Sequence, residues 1–249
     1  MRESMLKINN LKKQYGKKLV LDNINLELSK GMIGLLGNNG AGKTTLMKII
    51  ATLLEPTQGT CSLNKISIKE KKRIRKMLGY IPQEFSLYPD FTCYEMLDYF
   101  MLLDGVKDQE QRMNRIVEVL EMVNLQEKMH VKIKNLSGGM KRRVGVAQAL
   151  LGNPMIIIAD EPSVGLDPEE RRNLSDLFKE LSREKIVLLS THIISDIEEV
   201  CDTLGIMKDG KLLFYGTKKE LKEKTNMQEQ TLEEAYLQLI NGNDDKCKL

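Results

Sequence analysis

Nine consecutive residues, Gly37-Asn38-Asn39-Gly40-Ala41-Gly42-Lys43-Thr44-Thr45, constrain the fold of this chain more than any other stretch. They fit Gly-x-x-x-x-Gly-Lys-[Ser/Thr] without a gap. Three glycines let the backbone close into a concave ring with its N–H groups pointing inward. The ring should run into a helix starting near Lys43, whose positive dipole end also favours phosphate. Lys43 adds a mobile charge for the β- and γ-phosphates of a nucleotide, and the Thr44 hydroxyl suits Mg²⁺. The flanks agree: Met32–Leu36 is a short apolar run for a buried strand, and Leu46, Ile49, Ile50 and Leu53 fall at helical spacing. An accidental glycine-rich turn would not come with a strand before it and a helix after it.

At 249 residues the chain is one large domain or two small ones, long enough to bury a real core. No apolar run approaches the roughly 18 residues a membrane span needs, and Met1-Arg2-Glu3-Ser4 is no secretory signal. A cytosolic location is expected unless a partner holds the protein elsewhere. With 38 basic and 35 acidic residues the net charge is +3, too balanced to argue for nucleic acid. Cys61, Cys93, Cys201 and Cys247 are widely spaced, with only His130 and His192 beside them, so neither a zinc site nor a disulfide framework is indicated.

Ahead of the phosphate loop, Ile24, Leu26 and Leu28 alternate with polar residues, as in a half-buried antiparallel strand. Tyr15 is a lone aromatic in a polar turn: a strand-end packing residue, or a platform for a purine ring. Lys65–Lys76 reads as a solvated charged face, and Leu78–Pro82 as a short strand whose Pro82 suggests an end or an edge, with Gln83 just beyond it. Six of the twelve aromatics crowd into residues 85–100, either as the core of a small helical unit or as a groove for a partner. Helical periodicity follows to about 150, with Met113, Ile116, Val117 and Leu120 on one face and a polar break at Gln126–Lys134. Ser137-Gly138-Gly139 then opens a second helix start that leaves N–H groups available to an anion.

Met155–Ala159 is continuously apolar, the mark of a parallel strand covered on both faces, and it ends in Asp160-Glu161 where such sheets bind ligands. Two acids there need a cation or water to meet them. Asp160 reads as a Mg²⁺ ligand, through water, and Glu161 as the group that polarises an attacking water. Ser163–Pro168 is a loop into a helix carrying Leu174, Leu177, Phe178 and Leu181. Ile186–Ser190 is another buried strand, ending at Thr191-His192, where a histidine suits a γ-phosphate sensor although a lone histidine is more often structural. Lys208-Asp209-Gly210 signals a hairpin. Beyond Gly216 the chain is charged, with one amphipathic helix on Leu232, Ala235, Tyr236, Leu239 and Ile240 and a polar tail, Asn241–Leu249.

Together these residues resemble the nucleotide-binding subunit of an ATP-binding-cassette (ABC) transporter, over about residues 5–216. The resemblance implies Tyr15 as the adenine-stacking residue, Gly37–Thr45 as Walker A, Gln83 as the Q-loop and a Mg²⁺ ligand, and Leu136–Met140 as the signature. It likewise makes Ile156–Glu161 Walker B with its catalytic glutamate, Ser163–Asp167 the D-loop and His192 the switch histidine. It implies an α/β fold: a P-loop NTPase (RecA-like) core with an N-terminal antiparallel β subdomain and an inserted α-helical subdomain at about 84–150. The cassette would be residues 1–216, and 217–249 a C-terminal helix and tail. It further implies that two cassettes pair head to tail, so that Ser137, Gly138 and Gly139 of one act on the ATP held by the other. Asn38 stands where the family often has proline, and Met140 where glutamine is commonest. Met140 and Thr231–Leu237 resemble the ABC-2 exporter branch.

The expected function is an ATPase using ATP and Mg²⁺ to power, by export, a separate membrane permease, with no nucleic acid partner. The protein would sit on the cytoplasmic face of the membrane through that permease. A ribosome- or DNA-acting cassette factor is the rival, but those branches carry two cassettes or long coiled-coil insertions, and this chain has neither. A P-loop GTPase or kinase would leave Leu136–Met140 and His192 unexplained, and no Asn-Lys-x-Asp motif is present.

Overall fold

The computed structural model describes residues 5–227 and 229–242. Two strands, β1 (Leu6–Tyr15) and β2 (Lys18–Leu28), precede β3 (Gly31–Leu36) and α1 (Lys43–Ile50). Then come β4 (Gln58–Leu63), β5 (Ile66–Ser67), α2 (Lys71–Arg75) and β6 (Leu78–Ile81). Three helices follow, α3 (Cys93–Leu103), α4 (Gln109–Met122) and α5 (Gly138–Leu150), with two short 3₁₀ turns in the polar break before α5. The chain continues through β7 (Ile156–Asp160), α6 (Pro168–Ser182), β8 (Ile186–Thr191) and α7 (Ser195–Glu198). It ends with β9 (Thr203–Lys208), β10 (Lys211–Thr217), α8 (Lys218–Lys224) and α9 (Leu232–Gly242).

The strands form an antiparallel sheet in the order β2-β1-β4-β5 and a larger sheet in the order β10-β9-β3-β8-β7-β6. The larger sheet is parallel except for β10, which returns through the Asp209-Gly210 turn. Both turn residues have positive φ (48° and 76°), as a tight two-residue hairpin requires. β6 is an edge strand and ends just before Pro82, so both readings that Pro82 left open hold.

Continuous apolar runs serve two cores at once. Ile156, Ile158, Ile186 and Leu188 face α1 and the antiparallel sheet, while Ile157, Ala159, Val187 and Leu189 face the helical side. The period of two is intact; it is hidden because both faces are dry. In β2 one face alone is buried, so Ile24, Leu26 and Leu28 alternate visibly.

Several expectations shift. Leu53 lies past the end of α1 and is exposed, because Thr52 takes a left-handed conformation (φ 62°) that ends the helix. Lys65–Lys76 is not wholly solvated: Ile68 and Ile74 are buried under β5 and α2. In α4 the fully buried face is Ile116, Val119 and Leu120, with Met113 and Val117 at its margin. Two helices, not one, follow Gly216; α9 extends through Gly242, and the rest of the tail, 243–249, lies outside the described residues. Among the crowded aromatics, Tyr88, Phe91, Tyr99 and Phe100 contact one another, with Phe91 and Phe100 against the core and Tyr88 and Tyr99 exposed.

Candidate nucleotide site

The phosphate loop leaves the C-terminal end of β3 and enters α1. Gly42 is the N-cap of α1 in a left-handed conformation (φ 102°), no side chain caps the helix, and its first turn carries no acid. Its leading N–H groups therefore face outward as an anion site without internal competition. A Cβ at Gly42 would lie 2.8 Å from Leu21 Cδ2, so glycine is required by space as well as by φ.

Lys43 is buried and its ammonium donates to the carbonyls of Gly37 (2.5 Å) and Asn38 (3.4 Å), 3.6 Å from Glu161 Oε1. Burial pushes its pKa below the usual lysine value, against the opposing pull of Glu161 and Asp160. Thr44 Oγ1 donates to Asp160 Oδ1 (3.2 Å), bringing together two of the three expected Mg²⁺ ligands. Asp160 Oδ1 also accepts from Ser190 Oγ (2.5 Å), and Ser190 in turn accepts from the Glu161 N–H (3.0 Å). Glu161 takes a left-handed backbone (φ 48°), an unfavourable state for a non-glycine residue that turns its carboxylate back over the loop. There His192 Nδ1 meets both carboxylate oxygens at 3.0 and 3.1 Å.

Lys43, Thr44, Glu161 and His192 line one cavity of about 540 Å³, the size of a small-molecule site, while Asp160 and Ser190 are buried and do not line it. Its wall includes Asn38, Asn39, Gly40, Ala41, Gly42, Lys43, Thr44, Thr45, Gln83, Glu161 and His192, with Lys18, Leu19 and Val20 opposite. Tyr15 is outside that wall, exposed at the end of β1 with Lys13 Nζ 4.8 Å from its ring centroid. Ser137, Gly138 and Gly139 are also outside it; Gly138 lines a second cavity with Phe85 and Val164–Leu166. Ser137 Oγ accepts from the Met140 N–H (3.1 Å), the N-cap its position implied.

Two contributors escaped the sequence reading. Ser190 was visible only as a polar residue ending an apolar run. Arg142 gave no signal: buried in α5, its guanidinium donates to the carbonyls of Pro82, Gln83, Asp160, Glu161 and Pro162 at 2.9–3.3 Å. Burial lowers its pKa, with Asp160 opposing. It ties the backbone of Gln83 to that of Glu161, and Phe85 stacks 5.3 Å from its charge.

Among the described residues no cluster of three or more His, Cys, Asp or Glu could hold a metal unaided. A hydroxyl and a single carboxylate fit Mg²⁺, which usually takes one or two protein ligands and completes its shell with water and phosphate. A parallel sheet with a glycine loop and lysine at the end of β3, and adjacent acids at the end of β7, one strand removed across β8, defines a P-loop nucleoside triphosphatase.

Residues 21–164 match the family described as ABC transporter. The "Uncharacterized ABC transporter ATP-binding protein YxlF" of Bacillus subtilis is 41% identical, over 88% of this chain and 73% of that protein. The "Linearmycin resistance ATP-binding protein LnrL" of the same organism is 38% identical over 87% and 70%. "Nod factor export ATP-binding protein I" of Cupriavidus metallidurans is 37% identical over 88% and 73%. The structure of an "ATP binding subunit of ABC transporter" superposes with TM-score 0.85 at 29% identity, covering 95% of this chain and 100% of that one. The dimeric bacterial ABC transporter cassette MJ0796 gives 0.77 at 30%, covering 86% and 98%, and its post-hydrolysis state with ADP and Pi gives 0.74 at 30% over the same shares. The chain belongs to the ABC transporter family and is an ATP-binding, ATP-hydrolysing transporter subunit. Such subunits work with membrane permeases and dimerise. Among the described residues no helix is long and apolar enough to cross a membrane.

Proposed function

We propose that the protein drives export through a separate permease, held by it at the cytoplasmic face of the membrane, and that its site works as a pair of cassettes. The observation that carries the reading is Lys43, Thr44, Glu161 and His192 in one cavity, with Asp160 hydrogen-bonded to Thr44. Export draws support from the Nod factor relative and the ABC-2-like Met140 and tail.

In this mechanism the N–H groups of Gly37–Thr45 cradle the phosphates of ATP, and Lys43 leaves its loop carbonyls for them. Thr44, Asp160 and Gln83 would hold Mg²⁺, which would supply charge neutralisation at the phosphates. Glu161 orients the attacking water, and His192 holds the Glu161 carboxylate while sensing the γ-phosphate. Tyr15 stacks on adenine. Ser137, Gly138 and Gly139 lie outside this cavity and complete the site of a second copy or a related chain. Gln83, tied to Glu161 through Arg142, and the exposed Tyr88 and Tyr99 carry closure to the permease. We read residues 1–216 as the cassette, 84–150 as its helical subdomain and 217–249 as the C-terminal extension. No nucleic acid partner is expected from the balanced charge.

Glu161→Gln tests the mechanism. ATP binding should persist, turnover should fall about 10²- to 10⁴-fold as for loss of a general base, and the ATP-bound variant should accumulate as a dimer by light scattering. Wild-type turnover in Glu161→Gln would remove Glu161 from the chemistry.

A further inference from the structure

Two sequence peculiarities left over from the mechanism meet in space. Asn38 opens the phosphate loop with a side chain that no cradle function requires. Tyr236 lies in the C-terminal helix, 198 positions away, and its hydroxyl donates to Asn38 Oδ1 at 3.4 Å.

The helix that carries Tyr236 is firmly placed. Thr231 and Glu234 cap its start reciprocally. Leu232, Ala235 and Ile240 are buried in the same core cluster as Ile206 and Phe214 of β9 and β10. At its far end the Ile240 carbonyl accepts from Lys208 Nζ (3.0 Å), a cation at the negative end of the helix dipole. Lys208 immediately precedes Asp209-Gly210, which lines the nucleotide cavity, and the Gly210 N–H donates to the Ala41 carbonyl (3.1 Å). The helix thus touches one wall of the cavity at Asn38 and is anchored beside another at Lys208.

Asn38 is where such a contact matters. Its carbonyl accepts from the Ala41 N–H (3.1 Å), closing the turn that starts the cradle, and also receives the resting Lys43 (3.4 Å). Residues 38–40 are exposed, so the backbone that must present N–H groups to phosphate has little packing to hold it. Fixing one residue's backbone costs about 1–2 kcal/mol of entropy. A tether that holds it before the nucleotide arrives shifts that cost from binding to folding. Burial raises the pKa of the Tyr236 hydroxyl, with Lys208 opposing, so the donor proton is present at neutral pH.

We propose that Tyr236 is a positioning residue for ATP: the C-terminal helix braces the phosphate loop through the Tyr236 hydroxyl on Asn38, so that ATP affinity depends on a docked C-terminal helix. The inference rests on Gly37–Thr45 being the ATP cradle.

The test is a double-mutant cycle read by titration of a fluorescent ATP analogue and by ATPase kinetics on the full chain. Tyr236→Phe should raise the Kd and KM for ATP about three- to tenfold, the range of one net hydrogen bond, with kcat unchanged, and Asn38→Ala should raise the Kd by the same factor. The double variant should be no worse than either single one. An unchanged Kd in Tyr236→Phe overturns the brace, and so does a Tyr236→Phe effect that persists in full in the Asn38→Ala background, since Tyr236 would then act only by supporting its helix. If Tyr236→Phe does not fold, Asn38→Ala, altered only at an exposed side chain, decides alone: normal affinity there overturns the proposal. Lys43→Ala separates the two levels. ATP binding lost in Lys43→Ala but normal in Tyr236→Phe sinks the brace alone, whereas normal binding in Lys43→Ala sinks the cradle beneath it.

Discussion

The starts of α1 and α5 look alike in sequence, each a helix opened by glycines, and they behave differently in the fold. At α1 the N-cap is a left-handed glycine with no capping side chain, and a buried lysine follows it into a cavity that also holds Glu161 and His192. At α5 Ser137 caps its own helix, Ser137 and Gly138 are exposed, and neither reaches that cavity. Other helices are closed by side chains too: α3 and α8 begin with reciprocal Thr–Glu boxes, and α4 and α6 with aspartate caps. The uncapped start of α1 leaves its leading N–H groups open to the cavity, whereas α5 is capped by its own serine and starts outside that cavity.

The largest effect that tests this difference is one of mixing. Lys43→Ala should weaken ATP binding by a single copy about 10- to 100-fold, from loss of a charged hydrogen bond. Gly139→Val should leave that affinity within about twofold by the same measure, yet abolish turnover. A Cβ at Gly139 already lies 2.7 Å from Glu170 Cδ, and Glu170 is the partner of Arg143 (2.6 Å). Mixing the two inactive chains should restore part of the ATPase rate, because one composite site then has an intact loop and an intact signature. If the mixture stays inactive, α5 does not act in trans. A smaller contrast is expected in stability, measured by urea unfolding. Gly42→Ala should cost about 2 kcal/mol, from left-handed strain and the Leu21 contact, and Ser137→Ala about 1 kcal/mol, from a lost cap. Equal losses would erase the distinction drawn between the two starts.

The smallest effect concerns acid. Hydrogen bonds from the backbone and hydroxyl of Thr92 hold the Glu95 carboxyl below its ordinary 4.5, and Thr217 does the same for Glu220. With the folded pKa depressed, the unfolded chain binds more protons between the two values, so this contribution is full above about 4.5 and fades as pH falls through the lowered folded value. Glu95→Gln should therefore lower stability at pH 7 and have progressively less effect as pH falls below 4.5, in urea titrations across that range. An effect independent of pH would detach the cap from the Glu95 charge.

Legibility followed locality. Gly37–Thr45, the Asp160-Glu161 pair, the Ser137 cap and the Asp209-Gly210 turn each depend on neighbours within a few positions, so spacing alone exposed them. Leu53 was misplaced because the left-handed Thr52 that stops α1 has no marker as plain as glycine or proline. Ser190 and Arg142 stayed hidden for another reason. Ser190 becomes a ligand of Asp160 only because β7 and β8 pair in parallel with Asp160 opposite Ser190. Arg142 acquires its five carbonyl partners only when α5 lies under the ends of β6 and β7.

By itself the sequence determined the chemistry of this protein: a phosphate loop, a lysine, paired acids and a histidine at strand ends, in an order that resembles one family. Backbone conformation and capping are set by adjacent residues, so they can be read in one dimension. Tertiary structure alone decided which of those groups share a cavity and which face away, that Arg142 ties the backbone of Gln83 to that of Glu161, and that Tyr236 reaches Asn38. Those contacts join residues from about 20 to 198 positions apart, and what brings them together is the burial of two apolar faces of one sheet, which no local pattern encodes.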